Sequence, residues 1–129
     1  MEMISRDEVV KRLRPTLGLK ASASEIESFQ NEVLRPILKF QNDLLIALTK
    51  HYLIRHHRNF NALKLSAQET VLTQAAKQDP EFRNQLIYPV VSLLTAEELF
   101  LYHEHRAEFN KRIAQMATER VKSQLERLY

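Results

Sequence analysis

The chain has 129 residues, the size of one domain, with 44% hydrophobic residues and a formal net charge of +3. It contains no cysteine, which excludes disulfides, thiolate metal sites and cysteine nucleophiles. A single glycine leaves no P-loop, no dinucleotide fingerprint and few of the tight turns a sheet protein needs.

The N-terminal stretch MEMISRDEVVKRL carries acids early and lacks the apolar run of a signal peptide. Ser5 with Glu8 forms a capping box, with Ile4 and Val9 placed as its hydrophobic staple, so a helix is predicted over 6–14. The segment PTLGLKASAS, 15–24, has loop composition. Ser24 and Glu27 form a second box and open a helix over 25–34.

Pro36 then interrupts a helical pattern. Its ring disfavours helix at Arg35 and removes one backbone bond, so a break or sharp bend at 34–35 is predicted, with a new helix over 36–57. Ile37, Leu38, Leu44, Leu45, Leu48 and Tyr52 form one apolar stripe, and Phe40, Ile46, Ala47 and Ile54 cover much of the rest. Such a helix belongs inside a bundle. Two amide pairs recur around the proline, Gln30-Asn31 and Gln41-Asn42. Gln41 falls within the stripe. Either it bonds carbonyls freed by the Pro36 bend or it faces a ligand, because an unbonded buried amide costs about 1–3 kcal/mol.

Ser66 with Glu69 predicts a helix over 67–78, and Asp79 before Pro80 caps a helix over 80–93. Pro89 within NQLIYPVVSLL predicts a kink or break near Tyr88. Thr95 and Glu98 open the last helix, predicted over 96–127 and so about 48 Å long. A domain of this size is only about 36 Å across, so that helix should overhang. The end of its stripe, Val121, Leu125 and Leu128, would then be covered by a second copy of the chain. Arg106 lies in the same stripe, with its stem packed and its head in solvent, or else buried and paired.

The expected fold is therefore all-α: one domain, 1–129, a helical bundle of five to six helices with proline-bent members and a long C-terminal helix. The longest apolar run, Leu44 to Leu48, falls far short of the roughly 20 residues that span a bilayer, so no membrane is expected and the protein is read as cytoplasmic.

The chemistry is sparse. None of the five histidines has an i, i+4 partner, and no Glu-x-x-His spacing occurs, so neither metal nor cofactor is expected. Between Asp43 and Glu69 there is no acid, while Lys50, Arg55, Arg58 and Lys64 are basic. This is a solvated helix end, or a weak nucleic-acid surface without an aromatic pair placed for base stacking. Arg83 and Asn84 stand on the first turn of a helix, where an anion or an interhelical acid would suit them.

At FQNEVLRPILKFQND, DPEFRNQL, LLTAEEL and NKRI the sequence resembles a family of small bacterial proteins without assigned function, over Phe29 to Arg120. Members often carry a glyoxalase label. The resemblance implies no catalytic residues, and this chain lacks the strands and the His and Glu spacing that glyoxalase metal chemistry requires.

The reading that follows is an oligomeric interaction module, a homodimer through the C-terminal helix, with an enzymatic role left open. The alternative is a small-molecule or anion-binding helical domain with a site near the Pro36 and Pro89 bends, drawn from Arg35, Lys39, Gln41, Arg83, Asn84 and Arg106. Nucleic-acid binding through 50–64 is the third.

Overall fold

Pro36 does not break its helix; the helix widens in front of it. In the computed structural model, which describes residues 4–17 and 24–129, helix α2 (Glu25–Phe29) runs into a π-helical segment (Gln30–Leu34) and on into α3 (Arg35–Phe40). Leu34 (φ −69°, ψ −44°) and Arg35 (φ −62°, ψ −45°) both stay helical. Pro36 cannot donate to the carbonyl four residues back, and its ring crowds that carbonyl. The Arg35 N–H reaches instead to the Gln30 carbonyl, five residues back. This wider turn relieves the crowding without ending the helix. The chain bends five residues later, at Gln41 (φ −86°, ψ 6°), before α4 (Asn42–His56).

Local capping follows the sequence at four of five expected starts. The Ser5 hydroxyl accepts from the Glu8 N–H at the head of α1 (Arg6–Arg12), and the Ser24 hydroxyl accepts from the Glu27 N–H. Asp79 accepts from the Glu81 N–H and Pro80 sits in the first turn of α6 (Pro80–Val91). Thr95 and Glu98 form a complete capping box on α7 (Ala96–Glu104). The exception is α5 (Leu65–Gln78), which begins ahead of Ser66, with Lys64 at its cap position and no side-chain cap. The predicted loop 15–24 lies largely outside the described residues.

The second proline also leaves its helix intact. α6 carries through Pro89 and ends two residues later. Its last carbonyls are the exposed problem, because the chain tightens there: Leu93 donates to Val90 rather than to Pro89. The stranded Pro89 carbonyl accepts from Gln41 Nε2 at 2.8 Å and from the Ser92 hydroxyl at 3.1 Å. Gln41 thus satisfies a carbonyl freed at the end of α6, not one freed by Pro36. Its neighbour Asn42 exchanges two hydrogen bonds with Gln124, at 2.9 and 2.7 Å.

The largest departure is at the C-terminus. The helix predicted over 96–127 is interrupted at His105 (φ −129°, ψ 38°), giving α7 and then α8 (Arg106–Lys122). Tyr102 and Phe109 are both buried, and the Tyr102 hydroxyl donates to Asn110 Oδ1 across the break. An unbroken helix would have carried Arg106 into the core beside them; the bend places it in solvent. At about 26 Å, the 17-residue α8 does not overhang the domain. Val121, Leu125 and Leu128 are buried by the chain itself, the last two on a closing 3-10 turn (Leu125–Leu128).

The described residues form an all-helical fold. α6 and α8 each pack against both α4 and α5, and the core lies among these four helices. The expected five to six helices are only roughly matched, because two long ones are subdivided. α4 is less enclosed than its sequence implies: Leu45, Ile46, Thr49, Tyr52 and Leu53 are buried, whereas Leu44 and Ile54 are exposed. Among the described residues, no helix is long and apolar enough to cross a membrane.

Candidate functional site

The π-helical segment places the first amide pair against α8. Phe29 fixes the contact, with its ring 4.8 Å from that of the fully buried Phe109. On the next two residues Gln30 Oε1 accepts from Arg112 Nη1 at 2.8 Å and Asn31 Oδ1 accepts from Arg35 Nε at 3.0 Å. Each amide therefore holds one arginine. A third, Arg120, stands eight residues beyond Arg112 on α8, within about a quarter turn of it on the helix surface. These arginines, with Gln30, Gln115 and Ser123, line a groove of about 600 Å³ between the π-helical segment and α8.

The charges in the groove are unevenly compensated. Arg112 is matched by Glu108, with Nε 2.7 Å from Oε1. Glu119 is taken by Lys122 at 3.3 Å. The guanidinium of Arg120 has no hydrogen-bond or ion-pair partner among the described residues, although it is half-buried. Burial, and then the neighbouring Arg35 charge, lower its pKa. Two like charges held together at a partly desolvated place are costly unless an anion joins them. The π-helical turn beside them fits this reading, since such turns occur often at functional sites.

Most of the other candidates fall elsewhere. Arg35 is in the groove, but Lys39 and Arg106 are exposed and away from it, so the anion site expected from Arg35, Lys39, Arg83 and Arg106 is not assembled. Arg83 faces α5 and α8 and makes one long bond, 3.4 Å, to the Ala76 carbonyl. Gln41 and Asn84 border a shallow, uncharged groove between α4 and α6, with Leu44, Leu48, Tyr88 and Pro89. The expected cluster of Gln41, Asn42, Arg83 and Asn84 is thus divided among three places. Sequence reasoning missed Arg112 and Arg120 as a pair. Arg112 was visible as the i+4 partner of Glu108, and nothing marked Arg120.

One further polar cluster is structural. The Tyr52 hydroxyl donates to Asp79 Oδ2 at 2.5 Å and its ring stacks 4.5 Å from that of Phe82, joining α4 to the start of α6. Burial, then the hydrogen bond to Asp79, push the Tyr52 pKa up, while the same bond lowers that of Asp79. A phenol so disfavoured as phenolate is a poor nucleophile. The basic segment 50–64 is partly engaged: Lys50 bonds the Tyr129 carbonyl and Arg55 pairs with Glu81 at 3.4 Å. No group of three or more His, Asp or Glu among the described residues is placed to hold a metal ion.

Comparison with known proteins finds no match: no family model, no curated protein and no solved structure is similar to this chain.

Proposed function

We propose that the protein is an anion-binding helical domain, and that the groove between the π-helical segment and α8 holds a compact oxyanion of the phosphate type. The observation that carries this reading is the unpaired Arg120 guanidinium beside Arg35. Gln30, Gln115 and Ser123 supply neutral polar groups along the same wall. Arginine suits such a ligand because its planar fork donates two parallel hydrogen bonds. Val121, Leu125 and Leu128, the apolar residues from which the self-association reading was argued, are covered within the chain.

The test is a calorimetric titration with inorganic phosphate at low salt. Charge-assisted hydrogen bonds contribute about 1.5–3 kcal/mol each, so two arginines predict a Kd of about 0.1–10 mM. Arg120→Gln and Arg35→Gln should each weaken binding at least tenfold, whereas Lys39→Gln and Arg106→Gln should not change it. Absence of saturable binding, or equal affinity in all four variants, would refute the site.

Pro36→Ala probes the same groove through the backbone. An N–H at position 36 can close onto the Glu32 carbonyl and return the helix to its ordinary register. That rotates Gln30 and Asn31 by about 100° relative to α3 and releases both arginines. Phosphate affinity is expected to fall at least fivefold while the helix content by circular dichroism stays constant. Unchanged affinity would show that the wide turn has no part in the site.

A further inference from the structure

A larger cleft opens on the other shoulder of α8, between α5 and α6, with a volume of about 750 Å³. It is separate from the arginine groove and shares with it only Gln115 and Glu119, which stand on the intervening ridge. Its floor is made by small side chains. Ala107 and Ala114 stand seven residues apart on one face of α8, and Ala76 faces them from α5. With alanine at these positions, the space that larger side chains would fill stays open.

The rim is cationic, and its charges come from three helices: Lys77 on α5, Arg83 on α6 and Lys111 on α8. Among the described residues none of them has an ion-pair partner, and Lys77 and Lys111 make no side-chain hydrogen bond. The carboxylate of the lining, Glu119, is held by Lys122 at 3.3 Å, and Glu108, beside Lys111, is held by Arg112 at 2.7 Å. An apolar floor under a rim of three cations, none of them in an ion pair among the described residues, is complementary to a ligand with an apolar body and one acidic end. The volume lies within the range of small-molecule sites, about 300–1,000 Å³, and is larger than a bare oxyanion needs.

We infer that this cleft is a second binding site, for an amphipathic carboxylic acid whose chain lies over Ala76, Ala107 and Ala114 and whose carboxylate meets Lys77, Arg83 and Lys111. The site does not depend on the phosphate groove, and its ligand differs in needing an apolar body.

The test follows the alanine methyl resonances during titration with octanoate, acetate and octylamine. Octanoate should shift Ala76, Ala107 and Ala114 saturably. Acetate, which lacks the chain, should bind at least tenfold more weakly, and octylamine, with the opposite charge, should not bind there. Arg83→Gln with Lys111→Gln should weaken octanoate at least tenfold. Ala107→Leu, at an exposed position that can accept the larger side chain, should abolish binding by filling the cleft. Inorganic phosphate should leave the octanoate shifts in place. The inference fails if octanoate produces no saturable shift at these methyls, if octylamine binds as well as octanoate, or if both variants bind octanoate as the unmodified protein does.

Discussion

Glu98→Ala should lower stability by about 3–5 kcal/mol and release α1 from the rest of the fold. Glu98 receives both terminal nitrogens of Arg14, at 2.7 and 2.6 Å, and the pair is largely out of water, with side chains 10% and 15% exposed. Arg14 also donates to the Leu93 carbonyl at 2.9 Å, and Arg6 bonds the carbonyls of Leu94 and Ser92. These contacts hold α1, whose buried residue is Val10, against the turn between α6 and α7. Removing Glu98 leaves a buried guanidinium uncompensated and deletes the carboxylate that accepts from the Thr95 N–H at 2.8 Å. Urea unfolding gives the global loss. Amide exchange separates the parts: protection in α1 should vanish while that in α4 and α8 persists. Protection of α1 equal to that in the unmodified protein would show that the arginine contacts are dispensable.

The same carboxylate makes the fold acid-sensitive in a defined direction. Burial alone would raise the Glu98 pKa, but the hydrogen bonds from Arg14 and Thr95 outweigh it and the net shift is downward. A carboxyl whose pKa is lower in the folded state contributes stability above its unfolded value, about 4.3. That contribution is lost as pH falls through the folded value. The urea midpoint should therefore drop below about pH 4.5, and Glu98→Gln should flatten the drop. Part of the acid loss should survive in that variant, because the Tyr52 hydrogen bond lowers Asp79 as well.

Phe109→Ala is the second large effect, a loss of about 3–5 kcal/mol. The ring is fully buried, 4.8 Å from that of Phe29 and 6.4 Å from that of Tyr102. It therefore joins α8 both to the end of α2, immediately before the π-helical segment, and to α7. Truncation should reduce phosphate affinity along with stability, since Gln30 follows Phe29 directly and holds Arg112. Phe109→Leu should recover more than half of both losses. A loss below about 1 kcal/mol for the alanine variant would mean that the site collapses around the gap, and that the aromatic contact does not position the groove.

What the sequence determined lies within a few residues of each position. Ser5, Ser24, Asp79 and Thr95 cap helices because each side chain bonds an N–H two or three residues on, and no distant contact is required. The all-helical class was legible from the same signals and from the scarcity of glycine. Both prolines were seen to disturb the backbone, but sequence alone could not show that α6 runs on through Pro89, nor choose at Pro36 between breaking the helix and widening it. That choice rests on Phe29 and Phe109, whose packing holds the segment before Pro36 against α8. The end of the chain was misread for a related reason. A periodic pattern continues through His105, yet burying an unpaired Arg106 would cost more than one bend, and only the packed core sets that penalty. The groove arginines come from Arg35 before α4 and from Arg112 and Arg120 near the end of the chain. Each successive residue turns a helix by about 100°, and the π-helical turn adds a further offset. Which arginines share a groove was therefore decided by the tertiary register of α8 against the π-helical segment, which no local pattern encodes.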